Sequence, residues 1–133
     1  MPEDHAKRVL LIGHCGPDAF ALQAAVRSMV PDATVEQVNS VEALQSALAD
    51  AGALLINRVL DGDFRGESGV ELIRVLAAEG GPGRANGGAG LVLVSNLAAA
   101  QEEAESAGAL PGFGKQELYS DRMRASLEAA LGA

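Results

Sequence analysis

Ala53-Leu54-Leu55-Ile56, closed by Asn57, is the stretch that decides the fold. Four apolar residues in succession, without polar alternation, describe a strand buried on both faces, and such strands sit in the middle of parallel sheets. Arg8-Val9-Leu10-Leu11-Ile12, ended by Gly13, and Leu91-Val92-Leu93-Val94 read the same way. Thr34-Val35-Glu36-Gln37-Val38 alternates polar and apolar residues, so it is expected as a more exposed strand at a sheet edge. Leu110 to Phe113 supplies a short last strand, weakened by Pro111 and Gly112.

Helical patterns fall between the strands. Pro17 and Asp18 open a helix over 17–30, with Pro tolerated in the first turn and Asp favoured at the positive dipole end. Phe20, Ala21, Ala24, Ala25 and Val26 are expected as its buried face. Ser40 caps a second helix carrying Val41, Leu44, Ala47 and Leu48 at helical spacing, ended by Gly52. A polar loop over 58–68 precedes a helix over 69–78 that buries Val70, Leu72, Ile73 and Leu76. The stretch 80–90, Gly-Gly-Pro-Gly-Arg-Ala-Asn-Gly-Gly-Ala-Gly, reads as a flexible connector with little to bury. Helices over 98–107 and 117–131 complete the chain. Five strands alternating with five helices imply one doubly wound α/β domain over 1–133, a parallel sheet with helices on both faces. Ligand chemistry in such sheets collects at the carboxyl ends of the strands, which places 13–18, 57–63, 95–96 and 114–115 under inspection.

Composition narrows the function. The 133 residues suit one domain, and 48% hydrophobic against 21% charged residues is ordinary for a globular protein. A net charge of −8 opposes nucleic-acid backbones and anionic membrane surfaces. Aromatic residues amount to 3%, with no Trp, so base-stacking platforms are lacking. No apolar run approaches the ~18 residues of a membrane span. The start Met1-Pro2-Glu3-Asp4-His5 shows no signal-peptide pattern, and a single cysteine, Cys15, excludes an internal disulfide. A cytoplasmic protein is expected.

The pattern resembles response-regulator receiver domains, the CheY-like family of two-component signalling, over nearly the whole chain. Ser95 follows the Leu91–Val94 run and matches that family's hydroxyl position, and Lys115 matches its lysine. Gly108-Ala109 stands seven residues before Lys115, Leu55-Ile56-Asn57 matches the end of the third strand, and Gly69-Val70-Glu71-Leu72-Ile73 resembles the start of the third helix. The resemblance implies a flavodoxin-like sheet of receiver topology. In the family an acidic pair after the first strand binds a divalent metal, and an aspartate after the third accepts a phosphoryl group.

The departures carry more weight. The acidic pair falls on Gly13 and His14, or on His14 and Cys15 with one residue inserted, and Asn57 occupies the phosphoacceptor position. Gln116 replaces the usual proline, Gly112 falls where a switching aromatic is common, and the loop after Asn57 is longer than usual. An amide oxygen is a poor nucleophile toward phosphorus, and Mg²⁺ prefers anionic oxygen ligands. Losing the whole acidic set points to a degenerate pseudo-receiver with pocket residues Gly13, His14, Cys15, Asn57, Ser95 and Lys115. Restoring Asp at position 57 alone is not expected to restore phosphorylation.

Each candidate admits a plainer reading. His14-Cys15 is a structural pair, a reactive thiolate at a helix start, or a metal half-site, with His5 the only other His or Cys. Asn57 either hydrogen-bonds Lys115 and closes an empty pocket or helps to hold a small ligand or anion. Ser95 caps the following helix or, less readily, acts as a nucleophile with His14 as base, for which no orienting carboxylate is evident. Asp61-Gly62-Asp63 reads as a solvated turn in the wrong register for a calcium loop, and the 80–90 stretch lacks the lysine of a phosphate loop. No nucleophile–base–orienter set emerges, so no catalytic residue, metal, cofactor or enzymatic activity is expected. The expected function is a phosphorylation-independent signalling module that binds a protein partner. The resemblance implies contacts on the face of the family's fourth helix, fifth strand and fifth helix, here with Gln101, Glu102, Glu105, Phe113 and Tyr119. The acidic charge suits a partner with a basic surface. The alternative is a small-ligand or redox sensor built on His14, Cys15, Asn57 and Lys115.

Overall fold

A computed structural model describes residues 7–132. The elements are β1 (Arg8–Ile12), α1 (Gly16–Met29), β2 (Thr34–Val38), α2 (Val41–Ala47), β3 (Ala53–Asn57), β4 (Val59–Leu60), β5 (Glu67–Ser68), α3 (Gly69–Gly80), β6 (Gly90–Val94), α4 (Ala98–Ala107), β7 (Leu110–Phe113) and α5 (Asp121–Leu131). Five strands form a parallel sheet in the order β2-β1-β3-β6-β7. The expected doubly wound five-stranded sheet is therefore present.

Period-two geometry divides the three apolar strands between two cores. Leu10, Ile12, Leu54, Ile56, Leu91 and Leu93 pack with residues of α2, α3 and α4 on one face. Val9, Leu11, Ala53, Leu55, Val92 and Val94 pack with α1 and α5 on the other. β2 lies at an edge and leaves Thr34, Glu36 and Gln37 exposed, as its alternation requires. The strand order reverses between β1 and β3, so the ends of those two strands, Gly13-His14 and Asn57, flank the switch point. Among the described residues no helix is long and apolar enough to cross a membrane.

Four local expectations are corrected. The stripe of α1 facing the sheet is Ala19, Leu22, Ala25 and Val26, at i, i+3, i+6 and i+7, whereas Phe20 lies off it and is 75% exposed. The 58–68 loop contains the antiparallel β4–β5 ribbon, and Phe64 from its tip is buried in the α2–α4 core. The 80–90 stretch buries Ala85 and Ala89 and is tied by Ala85 N–H to Ala89 O and Leu91 N–H to Gly83 O. Arg84 within it donates to the carbonyls of Ala129 and Ala130, satisfying acceptors that the last turn of α5 leaves open. The last helix starts at Asp121 rather than Glu117, because Tyr119 takes a left-handed φ of 68° and Ser120 caps the Met123 N–H.

Candidate functional site

The carboxyl ends of β1, β3, β6 and β7 bring together Gly13, His14, Asn57, Ser95 and Lys115. A recess of about 360 Å³ there is lined by Asn57, Asp61, Ser95, Asn96 and Lys115 together with Arg58. Gly13 departs from β1 with φ of +70°, and a Cβ on it would lie 2.7 Å from Leu60 Cδ2 and 2.9 Å from Leu60 Cα. The left-handed backbone and the approach of β4 both exclude a side chain. The first acidic position of the resemblance is thus closed by geometry as well as by residue type.

Asn57 is buried and fully engaged. Its Nδ2 donates to Gly13 O at 3.0 Å and Val59 O at 2.7 Å, and its Oδ1 accepts from Arg58 N–H at 3.1 Å. The amide therefore ties the end of β1 to the start of the β4–β5 ribbon. The expected bond from Asn57 to Lys115 is replaced by another pairing. Lys115 Nζ lies 2.7 Å from Asp18 Oδ2. That ion pair joins α1 to the turn after β7, and it holds the Asp18 carboxyl below its ordinary value, with a smaller contribution from the Cys15 thiol donating to the same carboxylate.

His14 is 3% exposed, and its Nε2–H donates to Leu55 O at 2.8 Å. A carbonyl only accepts, so the proton sits on Nε2 and Nδ1 carries a lone pair with no hydrogen-bond partner. Burial pushes the imidazole down to about 4, with Lys115 acting in the same direction. His14 is consequently neutral at pH 7. Cys15 is half-buried and is the N-cap residue of α1. His5 lies outside the described residues. Among the described residues no three His, Cys, Asp or Glu side chains converge as metal ligands. Ser95 Oγ accepts from Leu97 N–H at 3.2 Å, in a turn-capping role.

The face formed by α4, β7 and α5 needs two corrections. Phe113 is fully buried in the α1–α5 core and cannot contact a partner. Gln101 turns its amide inward, where Nε2 meets the carbonyls of Leu93, Ser95 and Phe113. Gly112 makes room for it, since a Cβ there would lie 2.2 Å from Leu93 O and 2.5 Å from Gln101 Oε1. Glu102 and Glu105 are exposed, and Tyr119 is 57% exposed. A groove of about 800 Å³ runs between α4 and α5, with Glu102, Glu105 and Glu117 on its walls and Arg122 as its cation.

Asp18 and Arg58 lie within the strand-end segments marked for inspection, but neither carries an expected pocket role. Asp18 reads in sequence as a helix-dipole partner, yet it stands three residues after Cys15 and four after His14. That spacing returns its side chain to the face of the first helical turn that meets the strand ends. Arg58 follows Asn57 directly, and its place at the strand end was the available signal.

No family model matches the sequence, and no curated protein sequence does. Similar folds occur among solved structures. The signal receiver domain of a DNA-binding response regulator from Colwellia psychrerythraea superimposes with a TM-score of 0.70 at 15% identity, covering 95% of this chain and 98% of that one. A putative response regulator from Chloroflexus aurantiacus gives 0.67 at 18% identity over 96% and 98% of the two chains. A response regulator receiver domain from Rhodospirillum rubrum gives 0.59 at 12% identity over 94% and 92%. At these identities the likeness is one of architecture, and the architecture of this chain is that of receiver domains.

Proposed function

We propose that this chain is a phosphorylation-independent receiver-like module that acts in signalling by binding another protein. The observation that carries this reading is the engagement of Asn57: its amide makes three internal hydrogen bonds where phosphoryl chemistry would need a free carboxylate. Gly13 adds to it, because its backbone leaves no room for a metal-binding side chain. Lys115, which matches the lysine of the resemblance, has an internal carboxylate in Asp18. Asn57 and Lys115, two of the four residues of the sensor alternative, are already paired internally, which weighs against it.

The partner surface in this reading is the face of α4, β7 and α5. Glu102 and Glu105 give it acidic walls, and Tyr119 supplies an exposed aromatic of the kind that anchors interfaces. A partner with a basic patch complements it. Affinity capture with the wild-type chain and with Glu102→Lys/Glu105→Lys tests the surface. The reading predicts one or more proteins retained by the wild type and lost by the charge-reversed variant; the same proteins retained equally by both would refute it.

A further inference from the structure

We propose that a second groove, between the start of α2, the β4–β5 ribbon and the outer face of α3, docks an amphipathic segment of a partner protein. The segment carries an apolar stripe flanked by Lys or Arg. This surface is separate from the α4–β7–α5 face and does not depend on the reading of the phosphorylation pocket.

The groove has a volume of about 420 Å³ and an apolar lining of Val41, Leu60, Phe64, Leu72 and Val75. Leu60 and Phe64 form a buried floor, while Val41 is 48% and Val75 58% exposed. Exposed valine is a poor choice for helix stability, because β-branching restricts its rotamers against the preceding turn. Local helix propensity therefore does not account for Val41 and Val75, whereas an apolar contact surface does. The floor is built by the same lengthened loop that separates this chain from the family pattern. It is held in place by Asp61 N–H to Gly13 O at 2.9 Å, Asp63 N–H to Asn39 O at 2.8 Å and Gly66 N–H to Leu60 O at 2.7 Å. A groove fixed in this way is preorganised for a ligand.

Charge selects the occupant. Segments 41–47, 59–68 and 69–80 together hold six carboxylates and two arginines. One of those arginines, Arg74, is paired with Glu71. Glu67 and Glu71 stand among the lining residues, which include no Lys or Arg, and the Arg74 partner of Glu71 lies outside that lining. A second copy of this chain would set acidic rim against acidic rim, so self-association through this face is disfavoured. An aliphatic stripe in the groove with cations over Glu67 and Glu71 satisfies both features, in the manner of helix-in-groove recognition.

The test uses a synthetic Leu/Lys amphipathic helical peptide and a Leu/Glu peptide of identical apolar pattern. Amide chemical shifts of the isotopically labelled full chain locate binding, and calorimetry measures it. The Leu/Lys peptide is expected to shift the amides of Val41, Leu60, Phe64, Leu72 and Val75, and the Leu/Glu peptide to leave them unmoved. Val41→Gln/Val75→Gln is expected to weaken Kd at least tenfold, and Glu67→Gln/Glu71→Gln to reduce its salt dependence. All four positions are at the surface, and a thermal melt verifies the fold of each variant. Absence of binding, shifts confined to the Glu102–Glu105 face, or an unchanged Kd for the valine variant would each overturn the proposal. So would a concentration-dependent dimer abolished by the valine variant, since the occupant would then be a second copy.

Discussion

Asn57→Asp restores the residue type that receiver chemistry requires, yet it should destabilise this protein. The wild-type amide donates two hydrogen bonds, to Gly13 O and Val59 O. An aspartate retains the acceptor for Arg58 N–H and loses both donors. Two lost bonds cost about 1 kcal/mol each, and a carboxylate held against two carbonyl oxygens in a buried site costs roughly 1–3 kcal/mol more. The expected loss is about 3–5 kcal/mol at pH 7, on the order of 10–20 °C in Tm for a domain of this size. The sign of the pH dependence follows. The site disfavours the charged form, so the folded pKa of the new carboxyl rises above its ordinary value of about 3.9. The penalty is then fully present at high pH and shrinks as pH falls through the folded pKa, where the protonated acid also regains one donor. Urea denaturation of variant and wild type at pH 7 and pH 5 measures the difference at each pH. A variant within 0.5 kcal/mol of wild type at pH 7, or one stabilised by Mg²⁺, would refute this account of the pocket.

Two further substitutions probe the same strand ends. His14 binds its proton at about 4 when folded against an ordinary 6.5, so between those values the unfolded chain holds a proton that the folded chain lacks. Stability is lost as pH falls through that window, by about 3 kcal/mol from this residue alone. His14→Gln should flatten the loss when denaturation midpoints are followed from pH 7 to pH 4, and a resonance assigned to the His14 imidazole that titrates near 6.5 in the wild type would contradict it. Gly13→Ala combines a left-handed φ with a Cβ 2.7 Å from Leu60. It should cost about 2–4 kcal/mol in chemical denaturation, and a neutral effect would contradict the close approach of Leu60 to Gly13.

What could be read from sequence followed from how many constraints each segment carries. Leu54, Leu55 and Ile56 face cores on both sides, so every position had to be apolar and the strand was plain. In α1 only one stripe is buried, and the size of Phe20 suggested a core residue that the helical phase places outside. The glycine-rich stretch misled because its order comes from tertiary partners: Arg84 reaches the end of α5 and two alanines fill small spaces, and neither contact leaves a local pattern. The resemblance alone puts Phe113 and Gln101 on a partner face, whereas burial on the sheet and inward hydrogen bonding decide their roles. At the pocket, the missing acids at Gly13, His14 and Asn57 were visible as letters. The ion pair of Asp18 with Lys115, formed across 97 residues, was not.

The central claim is that this pocket does not take up a phosphoryl group, and labelling with a small acyl phosphate donor in the presence of Mg²⁺ tests it most directly. Intact mass is measured for the wild type and for Asn57→Asp after confirming that the variant is folded at the assay temperature. The account predicts no phosphoryl adduct on either protein. A Mg²⁺-dependent, hydroxylamine-labile adduct of one phosphoryl group, on the wild type or on Asn57→Asp, would contradict it.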